Sequence, residues 1–181
     1  MPAGAADFIS LRFSTREFPE RMRIPMWREE FGRRIVHVDI EPSSDVQFQA
    51  EATLQALQGL RVLAWKGSAM RFKRLKTNIA DGDDSIGLIV SSPSRSQLSQ
   101  RGQEIEFRAG DAIALLHSEP ATVTYVEGLQ FGLAVPRDAL TPRVTNVDSL
   151  AMRPISRRTE ALRLLMTYLK SALKEGALAA P

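Results

Sequence analysis

The sequence predicts a mainly-β protein with flanking helices, in which the strands close into a small sandwich or barrel. Two observations predict this fold class. The middle of the chain alternates apolar and polar residues between frequent turn signals, and the tail carries leucines at helical spacing. A sheet of strand–helix–strand units is disfavoured, because the short strands follow one another without helical runs between them.

The strand-like middle section runs from about residue 35 to 136. Its clearest strand spans residues 46–54, where Val46, Phe48, Ala50, Ala52 and Leu54 alternate with polar residues. A second run alternates from residue 60 to 65 and places Trp65 opposite the row that begins at Leu60. Short turn signals separate the strands: Gln58-Gly59, Asp81-Gly82-Asp83-Asp84, Ser92-Pro93, Arg101-Gly102, Ala109-Gly110-Asp111, Ser118-Glu119-Pro120 and Glu127-Gly128.

The two ends of the chain are expected to be helical, which divides it into segments 1–34, 35–136 and 137–181. In the first segment, Pro25 suits an opening helical turn, and Met26, Trp27 and Phe31 then share one side. In the last segment, Ser156 is predicted to cap a helix that ends at Gly176. One apolar stripe follows this helix: Leu162, Leu165, Met166, Leu169 and Leu173.

Composition excludes several classes of protein. The 181 residues contain no cysteine, so disulfides, thiolate metal sites and cysteine nucleophiles are ruled out. The sequence has neither an apolar run that could cross a bilayer nor a signal-peptide pattern, so we expect a cytoplasmic protein with no membrane partner. The net charge of +3 is weak, and the basic clusters at 71–76 and 153–158 are expected to be solvated faces rather than nucleic-acid sites.

Metal binding and catalysis find little support in the residues. The two histidines, His37 and His117, are far apart in the chain, and the nearby acids Asp111 and Glu119 fall at or beside turns. The acidic turn at 81–84 lacks the spacing of a calcium loop, so a solvated turn is favoured. There is no Gly-x-Ser-x-Gly elbow. We therefore expect no metal, no cofactor and no catalytic residue.

A ligand site inside the barrel is the more natural hypothesis, because a small barrel can hold one molecule where side chains leave its interior open. Trp65 is the most informative candidate, since its indole offers apolar area and one donor. Arg71 can pair with an anionic ligand, although a surface position is favoured. The candidate wall residues, each of which can equally fill the core, are Phe48, Trp65, Met70, Phe72, His117 and Phe131.

Several short motifs, taken in order, resemble the N-terminal cupin-like domain of AraC-family transcription regulators. The resemblance extends over residues 13–175, nearly the whole chain. Each motif is common by itself, but their order and spacing together are more specific than any one of them. The motifs are Phe13-Ser14-Thr15, Trp27-Arg28-Glu29, Phe31-Gly32-Arg33, Arg101-Gly102-Gln103-Glu104, Gly110-Asp111-Ala112, Val135-Pro136-Arg137 and Ala139-Leu140.

The resemblance implies a cupin-like, jelly-roll barrel that senses a small-molecule effector and a C-terminal helix that forms a homodimer. The stripe residues Leu162, Leu165, Met166, Leu169 and Leu173 would form the interface, with packing inside the chain as the alternative. Family members continue into two helix-turn-helix units, so we expect a trimmed chain whose regulator binds DNA only through the absent part. A stand-alone cupin-like enzyme and a metal-free small-molecule-binding protein are the alternative functions.

Overall fold

The computed structural model describes residues 10–44, 47–57, 59–92 and 95–178. The helices are α1 (Glu20–Met26), α2 (Lys76–Ile79), α3 (Arg137–Leu140) and α4 (Glu160–Leu178), and a π-helical segment, Trp27–Ile35, continues α1. The strands are β1 (Ser10–Ser14), β2 (Asp39–Pro42), β3 (Ala50–Leu57), β4 (Leu60–Gly67), β5 (Met70–Arg74), β6 (Ile86–Ser92), β7 (Ser96–Gln100), β8 (Gln103–Phe107), β9 (Ala112–Leu116), β10 (Ala121–Tyr125), β11 (Gly128–Val135) and β12 (Pro154–Ile155).

The strands form two antiparallel sheets, which confirms the predicted mainly-β class. The larger sheet has the order β1-β3-β4-β11-β6-β9-β12, and the smaller has the order β2-β5-β10-β7-β8. The main core lies between them and includes Ala52 from β3, Ile89 from β6 and Val123 from β10. Tight turns suit this layout: Arg101 and Gly102, both at positive φ, form the two-residue link between β7 and β8.

The predicted alternation sets which face each strand presents to the core. Phe48, Ala50 and Ala52 are buried on the inner side, as expected, although β3 itself begins only at Ala50. Val46 lies outside the described residues. On β4, Val62 belongs to an outer apolar cluster while Trp65 belongs to the main core, which confirms that these two residues face opposite ways.

The N-terminal helix packs by its aromatic residues, as the sequence indicates. Trp27 and Phe31 stack with ring centroids 4.1 Å apart, and both are buried. The prediction that Pro25 opens the helix is wrong, since α1 begins at Glu20 and holds Pro25 in its interior. A proline there removes one backbone donor and crowds the preceding turn, and the chain continues as the wider π-helical segment.

The Ser14-Thr15 pair ties this first segment to the larger sheet. β1 pairs with β3, and at its end the Thr15 hydroxyl accepts a hydrogen bond of 2.8 Å from the backbone N–H of Ala50. Thr15 is fully buried, so its hydroxyl satisfies a backbone donor that water cannot reach. The segment before residue 35 therefore contributes a strand as well as a helix to the fold.

Helix α4 starts and ends later than the sequence predicts. It begins at Glu160, and Ser156 instead accepts a hydrogen bond from the N–H of Arg158 in the preceding turn. Gly176 lies inside the helix, which runs to Leu178, so the predicted stop at this glycine is wrong. The approach to α4 is held by Asp111, whose carboxylate accepts from the N–H of Arg157 at 2.8 Å.

The apolar stripe of α4 packs on the outer face of the larger sheet. Leu169 completes a buried cluster with Val62 and Leu133, and Leu162 completes another with Phe131. Leu162 and Leu169 are only 4% and 2% exposed, so the chain itself satisfies the stripe. The packing inside the chain that the sequence left as the alternative is therefore observed, while a dimer interface on Leu162, Leu165, Met166, Leu169 and Leu173 stays a prediction.

Candidate functional site

A cavity of about 150 Å3 lies between the two sheets. One wall of the cavity is an aromatic corner, formed by the buried side chains of Trp65, Phe72 and Tyr125. Trp65 and Phe72 stack with centroids 5.4 Å apart, and Tyr125 meets both rings edge-on at 5.0 and 5.2 Å. Such an edge-to-face arrangement is the preferred geometry for aromatic rings, so the corner is a well-defined surface.

The opposite wall of the cavity is polar and partly open to solvent. This polar end consists of Arg61, Arg74, Asp83 and His117. The Asp83 carboxylate accepts hydrogen bonds from the Arg61 guanidinium and the Ser85 hydroxyl, and it lies 3.2 Å from Nδ1 of His117. Arg61 remains half exposed, which marks this side as the one that faces water.

Arg74 is the most buried charged group of the polar end, with its side chain 6% exposed. It donates to the backbone carbonyls of His117 and His37 at 2.6 and 3.1 Å, and to the Asp81 carboxylate at 2.7 Å. The planar guanidinium can meet three acceptors at once, which a single ammonium group cannot do with the same geometry. Arg74 therefore joins β5, the acidic turn and the end of β9.

The contacts of the polar end strongly lower the pKa of the Asp83 carboxyl. Burial alone would raise the pKa of Asp83, but hydrogen bonds from His117, Ser85 and Arg61 outweigh it and lower that pKa well below its usual range. Asp83 is therefore a carboxylate at neutral pH, and its charge is balanced within the chain.

The structure brings together three of the six residues proposed for the ligand wall. Trp65, Phe72 and His117 line the cavity. Phe48 and Met70 are buried in the main core but do not line it. Both fill space between the sheets.

The expectation that Phe131 faces the interior is wrong. Phe131 lies on the outer face of β11, clustered with Leu162, and the ammonium of Lys170 on α4 lies 5.9 Å from its ring centroid. Strand β11 carries apolar residues on both faces, so its pattern alone does not reveal which row points inward.

The other residues considered from the sequence are Arg71, the possible metal ligands and the acidic turn. Arg71 is half exposed and lies 3.6 Å from Glu41, so the surface position favoured for it is the one observed. Among residues 10–44, 47–57, 59–92 and 95–178, no three histidine or acidic side chains come together as a metal site would require. The acidic turn was expected to be solvated, yet Asp81 and Asp83 are held by Arg74 and Arg61.

The sequence did not place Arg74, Asp83 and Tyr125, among other residues that line the cavity, at a ligand site. Tyr125 ends a strand in which Ala121, Val123 and Tyr125 alternate with polar residues, so its inward position could have been found from that pattern. Arg74 and Asp83 could not, because their partners lie in other elements of the chain. In sequence, both resemble ordinary surface charges.

One flank of α4 remains exposed after the stripe has packed. Leu164 is 65% exposed and Tyr168 is 58% exposed, and the two lie one helical turn apart. They form the exposed apolar flank of α4.

Comparison with known protein families decides the classification of the chain. A family model described as the AraC-binding-like domain matches residues 27–181, which is most of the sequence. The chain belongs to the AraC-binding-like domain family. The resemblance noted from its short motifs is thereby confirmed. No curated protein matches the sequence closely enough to add a named relative.

The fold is similar to that of a solved AraC-like regulator. The AraC-like transcriptional activator CuxR superposes over 91% of this chain with a TM-score of 0.76 and 17% identity. The chain spans 60% of the length of CuxR. Two others overlap less: an RmlC-like cupin from Shewanella frigidimarina (TM-score 0.37, 10% identity, 57% of this chain and 88% of that one) and KdgF from Halomonas sp. (TM-score 0.38, 11% identity, 56% and 90%).

Within the part of the chain that the structure describes, no helix combines the length and the apolar character that crossing a bilayer requires.

Proposed function

We propose that this chain is the effector-sensing and dimerisation part of a cytoplasmic AraC-type transcription regulator. The observation that carries the proposal is the position of the cavity, which shares strands β4 and β11 with the surface under α4. Membership of the AraC-binding-like family supports a regulatory role. In this proposal DNA is bound by a helix-turn-helix part of the regulator that lies outside the 181 residues, and no residue is catalytic.

A ligand in the cavity would act on α4 through a single layer of sheet. Leu63, on β4, lines the cavity, and the adjacent residue Val62 belongs to the cluster that Leu169 of α4 completes. Because protein interiors are tightly packed, a small displacement of β4 must be taken up by α4. The ligand shifts the arrangement of α4 only to the extent that it binds one arrangement better than the other.

The dimer in this proposal forms through the exposed flank of α4. Leu162 and Leu169 of the stripe are buried on the sheet, and the large apolar side chains that stay exposed on the described part of α4 are Leu164 and Tyr168. In a two-fold dimer the flank of one copy packs on the same flank of the other, so Leu164 and Tyr168 become buried in both copies. Segments 1–34, 35–136 and 137–181 would then correspond to a supporting segment, the sensing barrel and the dimerisation segment.

Sedimentation equilibrium of the 181-residue chain tests this function. We expect a reversible dimer, and we expect the double substitution Leu164→Glu with Tyr168→Glu to weaken it at least tenfold, because four charges would enter the interface. The matched control is Met22→Glu with Val126→Glu, which adds the same charges at other exposed apolar positions and should leave the dimer unchanged. A monomer at all concentrations, or a dimer indifferent to the flank substitutions, would contradict the proposal.

A further inference from the structure

The structure also indicates the chemistry of the molecule that fits the cavity. We infer that the cavity binds an uncharged, ring-sized molecule that accepts a hydrogen bond from Tyr125, an inference that rests on the sensing role proposed above.

The size of the cavity limits the ligand to about one ring. An engineered apolar cavity of about 150 Å3 in another protein takes up benzene, and the cavity here has about the same volume. A molecule the size of a nucleotide or a disaccharide would need several times this space. A single substituted ring fills it.

The aromatic corner favours a flat ligand. Trp65 and Phe72 lie nearly parallel, with 22° between their ring planes, and Tyr125 stands at 83° and 75° to them. A planar ring can therefore lie against one face or meet one edge of the corner with the geometry that aromatic pairs prefer. The remaining inner wall is aliphatic and includes Leu63, Ile89 and Leu115.

The hydroxyl of Tyr125 provides one specific polar contact. Tyr125 is 3% exposed and lines the cavity, and no hydrogen bond from another described side chain or backbone group holds its hydroxyl. Burial raises the pKa of this hydroxyl, so the group stays protonated and can donate. A ligand oxygen placed against this hydroxyl would accept a hydrogen bond away from bulk water.

The polar end disfavours a charged ligand. Arg61 is paired with Asp83, and Arg74 is occupied by Asp81 and two backbone carbonyls. The charges of Arg61, Arg74, Asp81 and Asp83 sum to zero. An anion or cation entering the cavity would lose its hydration without gaining an unpaired partner, which makes its transfer unfavourable.

NMR titration of the 181-residue chain with three probes tests the inference: benzamide, its anionic counterpart benzoate, and toluene. At pH 7 we expect benzamide to bind at least tenfold more tightly than benzoate, with shifts at the Trp65 indole. Tyr125→Phe should lower the affinity for benzamide about tenfold, which is the contribution of one hydrogen bond. It should change the affinity for toluene by no more than about twofold.

Two substitutions on β11 show whether the probes occupy this cavity. A Cβ at Gly132 would lie 3.5 Å from Trp65 and 3.8 Å from Leu63, so Gly132→Ala narrows the cavity without a clash and should weaken benzamide and toluene at least tenfold. Leu129→Ala is the matched control, because Leu129 is partly exposed and does not line the cavity. It should change neither affinity.

Benzoate binding as tight as benzamide, a loss of toluene equal to that of benzamide in Tyr125→Phe, or indifference to Gly132→Ala would each overturn the inference. If benzoate binds tightly and Gly132→Ala weakens its binding, the inferred ligand chemistry is overturned, but the cavity remains a ligand site. Failure of all three probes overturns the inference too, while the proposed function is judged separately by the sedimentation experiment.

Discussion

Val62 and Leu63 are consecutive residues of β4 that face two different compartments. Val62 is fully buried in the cluster completed by Leu169 of α4, and Leu63 lines the cavity between the sheets. One strand therefore forms both the wall of the proposed ligand site and the bed of the proposed dimerisation helix. This relationship gives a direct physical route by which occupancy of the cavity can bias α4.

The packing of α4 on the sheet can be measured with two leucines of the same helix. Leu169→Ala should lower the free energy of unfolding by about 2–5 kcal/mol, because it empties a buried site. Leu164→Ala is the matched control and should change the stability of the monomer by less than about 0.5 kcal/mol, since its side chain is exposed. Urea unfolding at low protein concentration measures both, and equal losses would show that α4 does not pack as described.

Arg74 should tolerate no replacement, including lysine. Arg74→Met removes the cation that pairs with Asp81 and the donor to two carbonyls, so it should lower the free energy of unfolding by about 3–5 kcal/mol, and Arg74→Lys, which keeps one ammonium group, by about 1–3 kcal/mol. Arg71→Met is the control, because this exposed arginine makes only a loose ion pair with Glu41 and should cost less than about 1 kcal/mol. A stable Arg74→Lys variant would show that the three-way contact is not important.

The acidic turn should make stability depend on pH. The pKa of Asp83 is lowered in the folded chain, so its contribution is complete above about pH 5 and is lost as the pH falls through the usual carboxyl pKa of about 3.9 and below it. At pH 7 Asp83→Asn should lower the free energy of unfolding by about 1.5–3 kcal/mol. The gap between wild type and variant should shrink as the pH falls toward about 3.

Asp84→Asn is the control for this pH dependence, since the Asp84 side chain is 64% exposed and lies 3.7 Å from its partner Arg137. Its effect on stability should stay below about 1 kcal/mol. Chemical unfolding at several pH values measures all three proteins. A gap between wild type and Asp83→Asn that does not change with pH would show that the carboxylate charge is not what stabilises the turn.

Gly87 leaves room for His117 at the polar end. A Cβ at this position would lie 2.8 Å from Nε2 of His117 and 3.1 Å from Leu115, so Gly87→Ala must displace the imidazole from Asp83. We expect a loss of about 1–3 kcal/mol in unfolding free energy and a changed NMR shift of the His117 ring. Gly132→Ala, whose nearest contact would be an ordinary 3.5 Å, should fold with nearly unchanged stability.

The sequence predicts the fold and the inward position of Trp65, but only part of the site. Alternation settles the inward row of β3, whereas on β4 it shows only that Val62 and Trp65 face opposite ways, because both rows of β4 carry apolar residues. It fails on β11, where Phe131 and Gly132 offer no contrast between faces. The ion pairs of Arg74 and Asp83 were missed because sequence spacing does not show which distant elements meet at the end of a barrel. The stripe of α4 was found correctly, and only the structure shows that the sheet already covers it.

The most direct test of the central claim is the dissociation constant of the dimer, measured by sedimentation with and without saturating benzamide. If the cavity and α4 are coupled through β4 and β11, benzamide should change this constant at least fivefold, and Gly132→Ala should abolish the change. A dissociation constant that stays the same while NMR shows the cavity occupied would contradict the account.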